Sequence, residues 1–387
     1  MSNRKNITVV LVDRANYGRM RPLMHELNTI PEVNLQIICT GTMLLDRFGR
    51  AVDVVRSDGF TVAEEIYMEL EGSVPITMAK SMGLAIVELS SALQRLAPDL
   101  VVVIGDRYEA LGVAISAVFQ NFCLVHIQGG EVTGSIDEST RHAITKLAHY
   151  HFPSTKRAGR YVVAMGERDD TVFPLGCPSA DVVHEVSKLE LPANTVSKAG
   201  VGVQIDLEEP FLLCLFHPVT TDYQSAEHQM EEVLQALSEL GMPTILIWPN
   251  IDAGSDGVSQ AIRRFRESDD GFPLRAFKNF SPEEYIPLLA RATCAVGNSS
   301  SFIRDASFLG TPVILVGDRQ NGRERSDAVI QVEAKSADIV SGIRKQISHG
   351  HYPASELYGR PGVSKQIARN IAGLKAYAQK RLAYDDE

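Results

Sequence analysis

Residues 100–137 constrain the fold more than any other stretch of this chain. They read LVVVIGDRYEALGVAISAVFQNFCLVHIQGGEVTGSID. An apolar run over 100–104 breaks at Gly105-Asp106-Arg107, and a helix of small residues follows over 108–119. A second apolar run, 123–127, ends in Gln128-Gly129-Gly130-Glu131. Unbroken apolar runs separated by one helix mark neighbouring parallel strands, buried on both faces. In such open sheets ligands bind beyond the carboxyl ends of the strands. Asp106, Arg107, Gln128, Glu131 and Asp137 are therefore expected to converge on one pocket.

The same rhythm runs through the rest of the chain. An apolar strand over 7–12 ends at Asp13-Arg14, and another over 35–40 ends at Gly41-Thr42-Met43. Helical patterns cover 44–55, 79–96 and 156–165, and a loop is expected over 66–74. Asp137 is expected to cap the helix 138–147. Residues 176–209, with Pro178, Pro192, Gly200 and Gly202 among mixed charges, interrupt the alternation. A second series then begins, with strands over 211–216, 244–248, 274–277, 294–296 and 312–315. Its helices are expected over 225–240, 255–267, 281–291, 300–308 and 336–347. Strands alternating with helices predict βαβ units. The expectation is an α/β protein of two Rossmann-like, doubly wound domains, 1–185 and 186–363, with a cleft between them. A terminal helical segment over 364–387 would return to the first.

A chain of 387 residues suits two domains, and 44% hydrophobic residues is ordinary for a globular protein. The formal net charge of -10 argues against nucleic acid as a partner. The five cysteines lie far apart with no CxxC, so they read as buried apolar residues in a reducing cytoplasm. No apolar run reaches the roughly 18 residues that span a membrane, and the N-terminus lacks the form of a signal peptide. Walker, GxGxxG, GxSxG and HExxH signatures are absent. Kinase and nicotinamide-cofactor readings therefore lose their main support, and no metal or cofactor is expected.

The second series carries polar loops at its strand ends. His217-Pro218 follows one strand and Pro249-Asn250 another. Gly297-Asn298-Ser299-Ser300-Ser301 joins a strand to a helix start, where free N–H groups and hydroxyls suit a phosphate. Serine N-capping alone also explains it. Asp305 lies about one turn into that helix, where an acid can take two ribose hydroxyls. Arg319 and Arg323 follow the next strand. Together these groups describe a nucleotide-sugar site in the cleft.

The motifs GDRYEA, HIQGGEVTGSIDESTRHAITKLAHYHF, LGCPSAD, HPVTTD, PNIDAGS, GNSSSFIRDA and GTPVILVGDRQNGRE occur in this order. Together they resemble the hydrolysing UDP-N-acetylglucosamine 2-epimerases, whose relatives act on related sugars for sialic and legionaminic acids. The resemblance implies a GT-B type fold and a UDP-sugar as substrate. It also implies a hydrolase acting on an O-glycosyl compound and a homodimer or homotetramer. The implied reaction is anti elimination of UDP to a 2-acetamidoglucal, then hydration with inversion at C2 to N-acetylmannosamine or a related sugar. The alternatives are a non-hydrolysing 2-epimerase with the same intermediate, or a hydrolysing epimerase of UDP-2,4-diacetamido-2,4,6-trideoxyglucose for legionaminic acid.

By that resemblance the UDP phosphates meet Arg14, Arg107, His217, Ser299, Ser300 and Arg319. Asp305 meets the ribose, and the uracil lies near Phe280 and Asn250. Asp106, Glu131 and Asp137 stand at the catalytic positions, with His217 and Arg107 assisting the leaving diphosphate. His149 and Asp181 match further polar positions. Two residues depart from the family pattern. Met43 replaces a histidine in G-x-H-L, and Gln128 replaces a glutamate regarded as catalytic. An amide cannot serve as a base, so either Glu131 or Asp137 takes that role or the sugar differs.

Overall fold

The computed structural model describes residues 4–72, 74–192, 195–197, 200–268 and 272–384. The first half runs β1 (Lys5–Leu11), α1 (Arg14–Thr29), β2 (Val33–Thr40), α2 (Ala51–Ser57), β3 (Glu64–Ile66), α3 (Pro75–Leu96) and β4 (Leu100–Ile104). It continues through α4 (Tyr108–Val118), β5 (Cys123–Ile127), α5 (Ile136–Leu147), β6 (Tyr150–Phe152), α6 (Lys156–Ala164) and α7 (Ser179–Val186). Its six strands are all parallel, in the order β3-β2-β1-β4-β5-β6. The central strands β4 and β5 are buried along their whole length, so apolar residues fill both faces.

The second half runs β7 (Val201–Gly202), β8 (Leu212–Leu215), α8 (Ala226–Leu240), β9 (Thr244–Ile247), α9 (Ser255–Glu267), β10 (Leu274–Phe277) and α10 (Pro282–Arg291). It continues through β11 (Cys294–Gly297), α11 (Ser301–Leu309), β12 (Val313–Val316), β13 (Val329–Val332) and α12 (Ser336–His349). The sheet order is β13-β12-β11-β8-β9-β10-β7, parallel apart from the antiparallel edge strand β7. The last helix, α13 (Val363–Gly373), packs on α1. Its Val363, Ile367 and Ile371 enter the apolar core beneath the first sheet.

Both sheets are Rossmann-like, and each has a switch point where the strand order reverses. In the first sheet it lies between β1 and β4, in the second between β8 and β11. The loops leaving these four strands carry Asp13-Arg14, Asp106-Arg107, His217 and Ser299-Ser300.

Several local expectations need correction. Ser135, not Asp137, caps α5: its Oγ accepts the Asp137 N–H, which puts Asp137 in the first turn. The stretch 44–55 splits into short 3-10 turns and α2. The expected loop over 66–74 begins in an edge strand, β3. Part of the supposed crossover is helical, as α7. The terminal helix stops at Gly373, well short of the helical segment expected over 364–387. Its end and the backbone beyond are held by side chains: Lys5 Nζ donates to the Ala372 and Leu374 carbonyls, and Tyr150 Oη to the Lys375 carbonyl. By length and composition α3 is apolar enough to cross a membrane, contrary to expectation. Its Ser81, Ala85, Leu89, Ala92 and Leu93 are buried against this half of the protein.

Candidate functional site

The two switch points face one cavity of about 370 Å³. That volume suits a small-molecule ligand. The first half lines it with Asp13, Arg14, Arg19, Asp106, Arg107 and Asp137. The second lines it with His217, Asn250, Phe280, Ser299, Ser300, Asp305 and Arg319.

On the second-half side neutral donors stand beside the charged Lys278, Arg304, Asp305 and Arg319. Gly297 ends β11 at φ +142°, and a Cβ there would sit 2.0 Å from the Leu215 carbonyl oxygen. Only glycine lets the two strand ends approach so closely. Asn298 then ties them together: its Oδ1 accepts the His217 N–H at 2.8 Å and its Nδ2 donates to the His217 carbonyl at 2.8 Å. His217 Nδ1 accepts the Asn250 N–H at 3.2 Å. Burial, reinforced by the Arg319 charge, depresses the His217 pKa to about 3. The ring is therefore neutral with its proton on Nε2, a hydrogen-bond donor rather than a cation. Ser299 and Ser300 stand at the start of α11, where the helix dipole favours an anion. Burial raises the Asp305 carboxyl to about 6, against Arg19 and Arg304.

On the first-half side the groups are charged and mostly paired. Arg107 binds Asp252 at 2.5 Å and Glu109 at 2.8 Å, with Asp13 at 3.7 Å. Burial opposes its charge, but these carboxylates outweigh burial and raise its pKa well above the usual value. Arg107 is thus a brace between the halves, with its charge already matched by acids. Asp106 is ion-paired with Arg141, and Arg323 lies 3.7 Å away. Burial would raise its pKa, yet the arginines hold it well below the carboxylate range. Glu131 pairs with Arg304 at 2.7 Å and Arg323 at 3.3 Å. There too burial is outweighed, by Arg304, Arg323 and Arg141, and the pKa falls to about 2.

Asp137 behaves differently. Burial, helped by the nearby Asp106 charge, raises its pKa despite Arg319. Its Oδ2 lies 3.5 Å from Arg319 Nη2, across the cleft. Arg14 donates from Nη1 to Asn279 Oδ1 at 2.9 Å, another bridge between the halves. Arg141, Arg304 and Arg323 gather around Asp106 and Glu131, and Arg304 also lines the cavity. Arg323 Nε and Nη1 are buried without a partner among the described residues. This surplus of buried positive charge favours an anionic ligand. Among the described residues no group of three or more His, Cys, Asp or Glu side chains is placed to hold a metal ion.

Residues 25–372 match the UDP-N-acetylglucosamine 2-epimerase family. The chain belongs to that family. It is 32% identical to the hydrolysing UDP-N,N'-diacetylbacillosamine 2-epimerase of Legionella pneumophila, over 97% of this chain and 97% of the relative. It is also 32% identical to the hydrolysing GDP/UDP-N,N'-diacetylbacillosamine 2-epimerase of Campylobacter jejuni, over 87% of this chain and 86% of the relative. The crystal structure of a UDP-GlcNAc 2-epimerase from Neisseria meningitidis bound to UDP-GlcNAc superposes with a TM-score of 0.78. At 16% identity it covers 95% of this chain and 99% of that one, and shares the GT-B fold.

Several residues expected at the site do not line the cavity of this family member. Glu131 lies behind the lining, in the arginine cluster. His149 faces the tail: Nδ1 accepts the Leu124 N–H at 3.0 Å and Nε2 meets the Ala378 carbonyl at 3.0 Å. Asp181 accepts the N–H groups of Gly362 and Ser364, capping α13. Met43 is fully buried in the first core, where a histidine would need a polar partner. Gln128 is also fully buried, at φ +67°. Its Nε2 donates to Cys177 Sγ at 3.0 Å, and its Oε1 accepts from Arg19 Nη1 at 3.1 Å. Arg19, Asp252 and Arg304 escaped the sequence reading. Asp252 and Arg304 lie inside quoted motifs, and Arg19 follows Arg14 by five residues on one helix.

Proposed function

We propose that this chain is a hydrolysing 2-epimerase of a UDP-2-acetamido sugar. The observation that carries the reading is the approach of Asp137 to Arg319. A carboxyl of raised pKa from the first half there meets a cation from the second. Asp137 is the acid–base group at the sugar C2. A carboxyl raised toward neutrality transfers protons at physiological pH better than one held near 2. Asp106 stays ionised beside it and keeps the Asp137 pKa up. Arg319, Ser299, Ser300 and the His217 Nε2–H hold the diphosphate as it leaves, with Arg14 at the rim. Asp305 takes the ribose hydroxyls, and Phe280 and Asn250 flank the base. The C2–H bond breaks, the C1–O bond to UDP breaks, and water then adds to the resulting glucal.

The sugar we favour is the 2,4-diacetamido-2,4,6-trideoxy one. The two relatives at 32% identity carry diacetylbacillosamine in their names, which supports it over UDP-N-acetylglucosamine. The five buried, unpaired cysteines suit a cytoplasmic enzyme.

Incubating the protein with each UDP-sugar in deuterated water tests the reading. Expected are UDP and a free manno sugar carrying deuterium at C2, with the higher kcat/KM on the diacetamido substrate. A UDP-sugar equilibrium without UDP release would overturn the hydrolysing assignment. Preference for UDP-N-acetylglucosamine would overturn the choice of sugar.

A further inference from the structure

A second cavity, of about 240 Å³, adjoins the first. Arg107 and Asp137 line both, so these two side chains form the partition between them. The second cavity opens between the starts of α3, α4 and α5 and the loops after β8 and β9. Pro75, Met78, Ile136 and Ala253 give it apolar walls, and Thr140, Thr220 and Thr221 add hydroxyls. Thr220 Oγ1 is buried without a hydrogen-bond partner among the described residues. An anion would find no free cation there. Arg107 is the one basic residue among the lining, and it is tied to Asp252 at 2.5 Å and Glu109 at 2.8 Å. Apolar walls with a few hydroxyls suit a small neutral group that carries both a methyl and a polar end.

We propose that this cavity seats the substituent at C4 of the sugar and selects an acetamido group there through Thr140 and Thr220. The orientation of the sugar rests on the hydrolysing reading above, which sets the C1 diphosphate against Arg319 and puts C2 at Asp137. In a pyranose ring C4 lies opposite C1. A sugar held this way turns C4 away from the diphosphate grip and toward the helix starts of the first half, where the second cavity begins. Ile136, Asp137 and Thr140 share one face of the first turns of α5. The helix that carries the acid–base group thus carries a selecting residue one turn further on. A C4 hydroxyl ends where an acetamido group continues by an acetyl unit, and that unit is what the cavity holds. Its amide pairs with the Thr140 and Thr220 hydroxyls, which relieves the cost of leaving a buried hydroxyl unpaired. Its methyl meets Met78 and Ala253.

Calorimetry on the full-length Asp137→Asn protein tests the seat without turnover. The ligands are three UDP-2-acetamido-6-deoxyglucose derivatives that carry a hydroxyl, an amino or an acetamido group at C4. The acetamido ligand should bind about tenfold or more tightly than either of the others. Thr140→Leu in the same protein fills the cavity and should cancel that preference, while the Kd for UDP alone stays within about threefold. Thr220→Val keeps the shape, removes the hydroxyl and should reduce the preference by roughly three- to tenfold. Equal affinity for the three ligands, or a preference that survives both substitutions, would overturn the C4 seat. UDP release by the wild type separates this from the reading it rests on. Release without a C4 preference overturns the seat alone, and a C4 preference without release overturns the hydrolysing reading alone.

Discussion

The two switch points share a topology and differ in chemistry. Around β8 and β11 the cleft wall carries serine hydroxyls and a histidine that burial keeps neutral, with an asparagine clasp behind them. Around β1 and β4 it is made of charges, nearly all matched: Arg107 with Asp252 and Glu109, Asp106 with Arg141. Neutral donors at a helix start grip an anion without fixing its protonation. Among these ion pairs one carboxyl, Asp137, is pushed up instead, by burial first and by the Asp106 charge second. One fold thus provides a nucleotide grip on one side and an acid–base centre on the other.

That contrast breaks most visibly at Asp137. Asp137→Asn should lower kcat by about 10²- to 10⁴-fold, the usual contribution of a general acid–base group, while the circular dichroism spectrum stays unchanged. In the wild type, activity should rise with pH through an acid limb above the ordinary aspartate value near 4, because the base must lose its proton. A limb at or below that value would place the base elsewhere.

Glu131 tests the locked side. Glu131→Gln leaves Arg304 buried without its anion and Arg323 with Asp106 alone, so stability should fall by roughly 3–5 kcal/mol in a denaturant titration. The sign with pH follows from its depressed pKa. Its contribution is present above the normal glutamate range and is lost as pH falls toward about 2. Wild-type stability should therefore decline on acidification, and Glu131→Gln should show less of that decline.

The nucleotide grip should yield smaller effects. Ser300→Ala should weaken UDP binding about tenfold by calorimetry, equivalent to about 1.4 kcal/mol. His217→Gln, which keeps a donor, should cost less than His217→Ala. Gln128→Glu should be the mildest for UDP affinity, since Gln128 reaches the cleft only through Arg19.

Much of this architecture was legible in the sequence. The runs at 7–12, 100–104 and 123–127 are buried on both faces, so composition alone marks them as parallel strands. Val329–Val332 and Val201–Gly202 escaped because short edge strands are half exposed or exposed and lack such runs. The helix Ser179–Val186 lay hidden among prolines, glycines and charges. At the site, residues next to strand ends were readable because topology fixes where strand ends point. Roles that depend on distant partners were not. Glu131 meets Arg304 across 173 positions, and that pairing turns a supposed base into a locked anion. Asp181 looked like a ligand group, but its oxygens accept from N–H groups 181 and 183 residues later, at the start of a helix. Residue type does not distinguish a cap from a ligand.

The central claim is a division of labour across the cleft, and UDP affinity of the Asp137→Asn protein tests it most directly. The account predicts a calorimetric Kd within about threefold of wild type, roughly 0.7 kcal/mol, from a protein that no longer turns over. Loss of UDP binding together with activity would show that the two sides of the cleft are not separate in function.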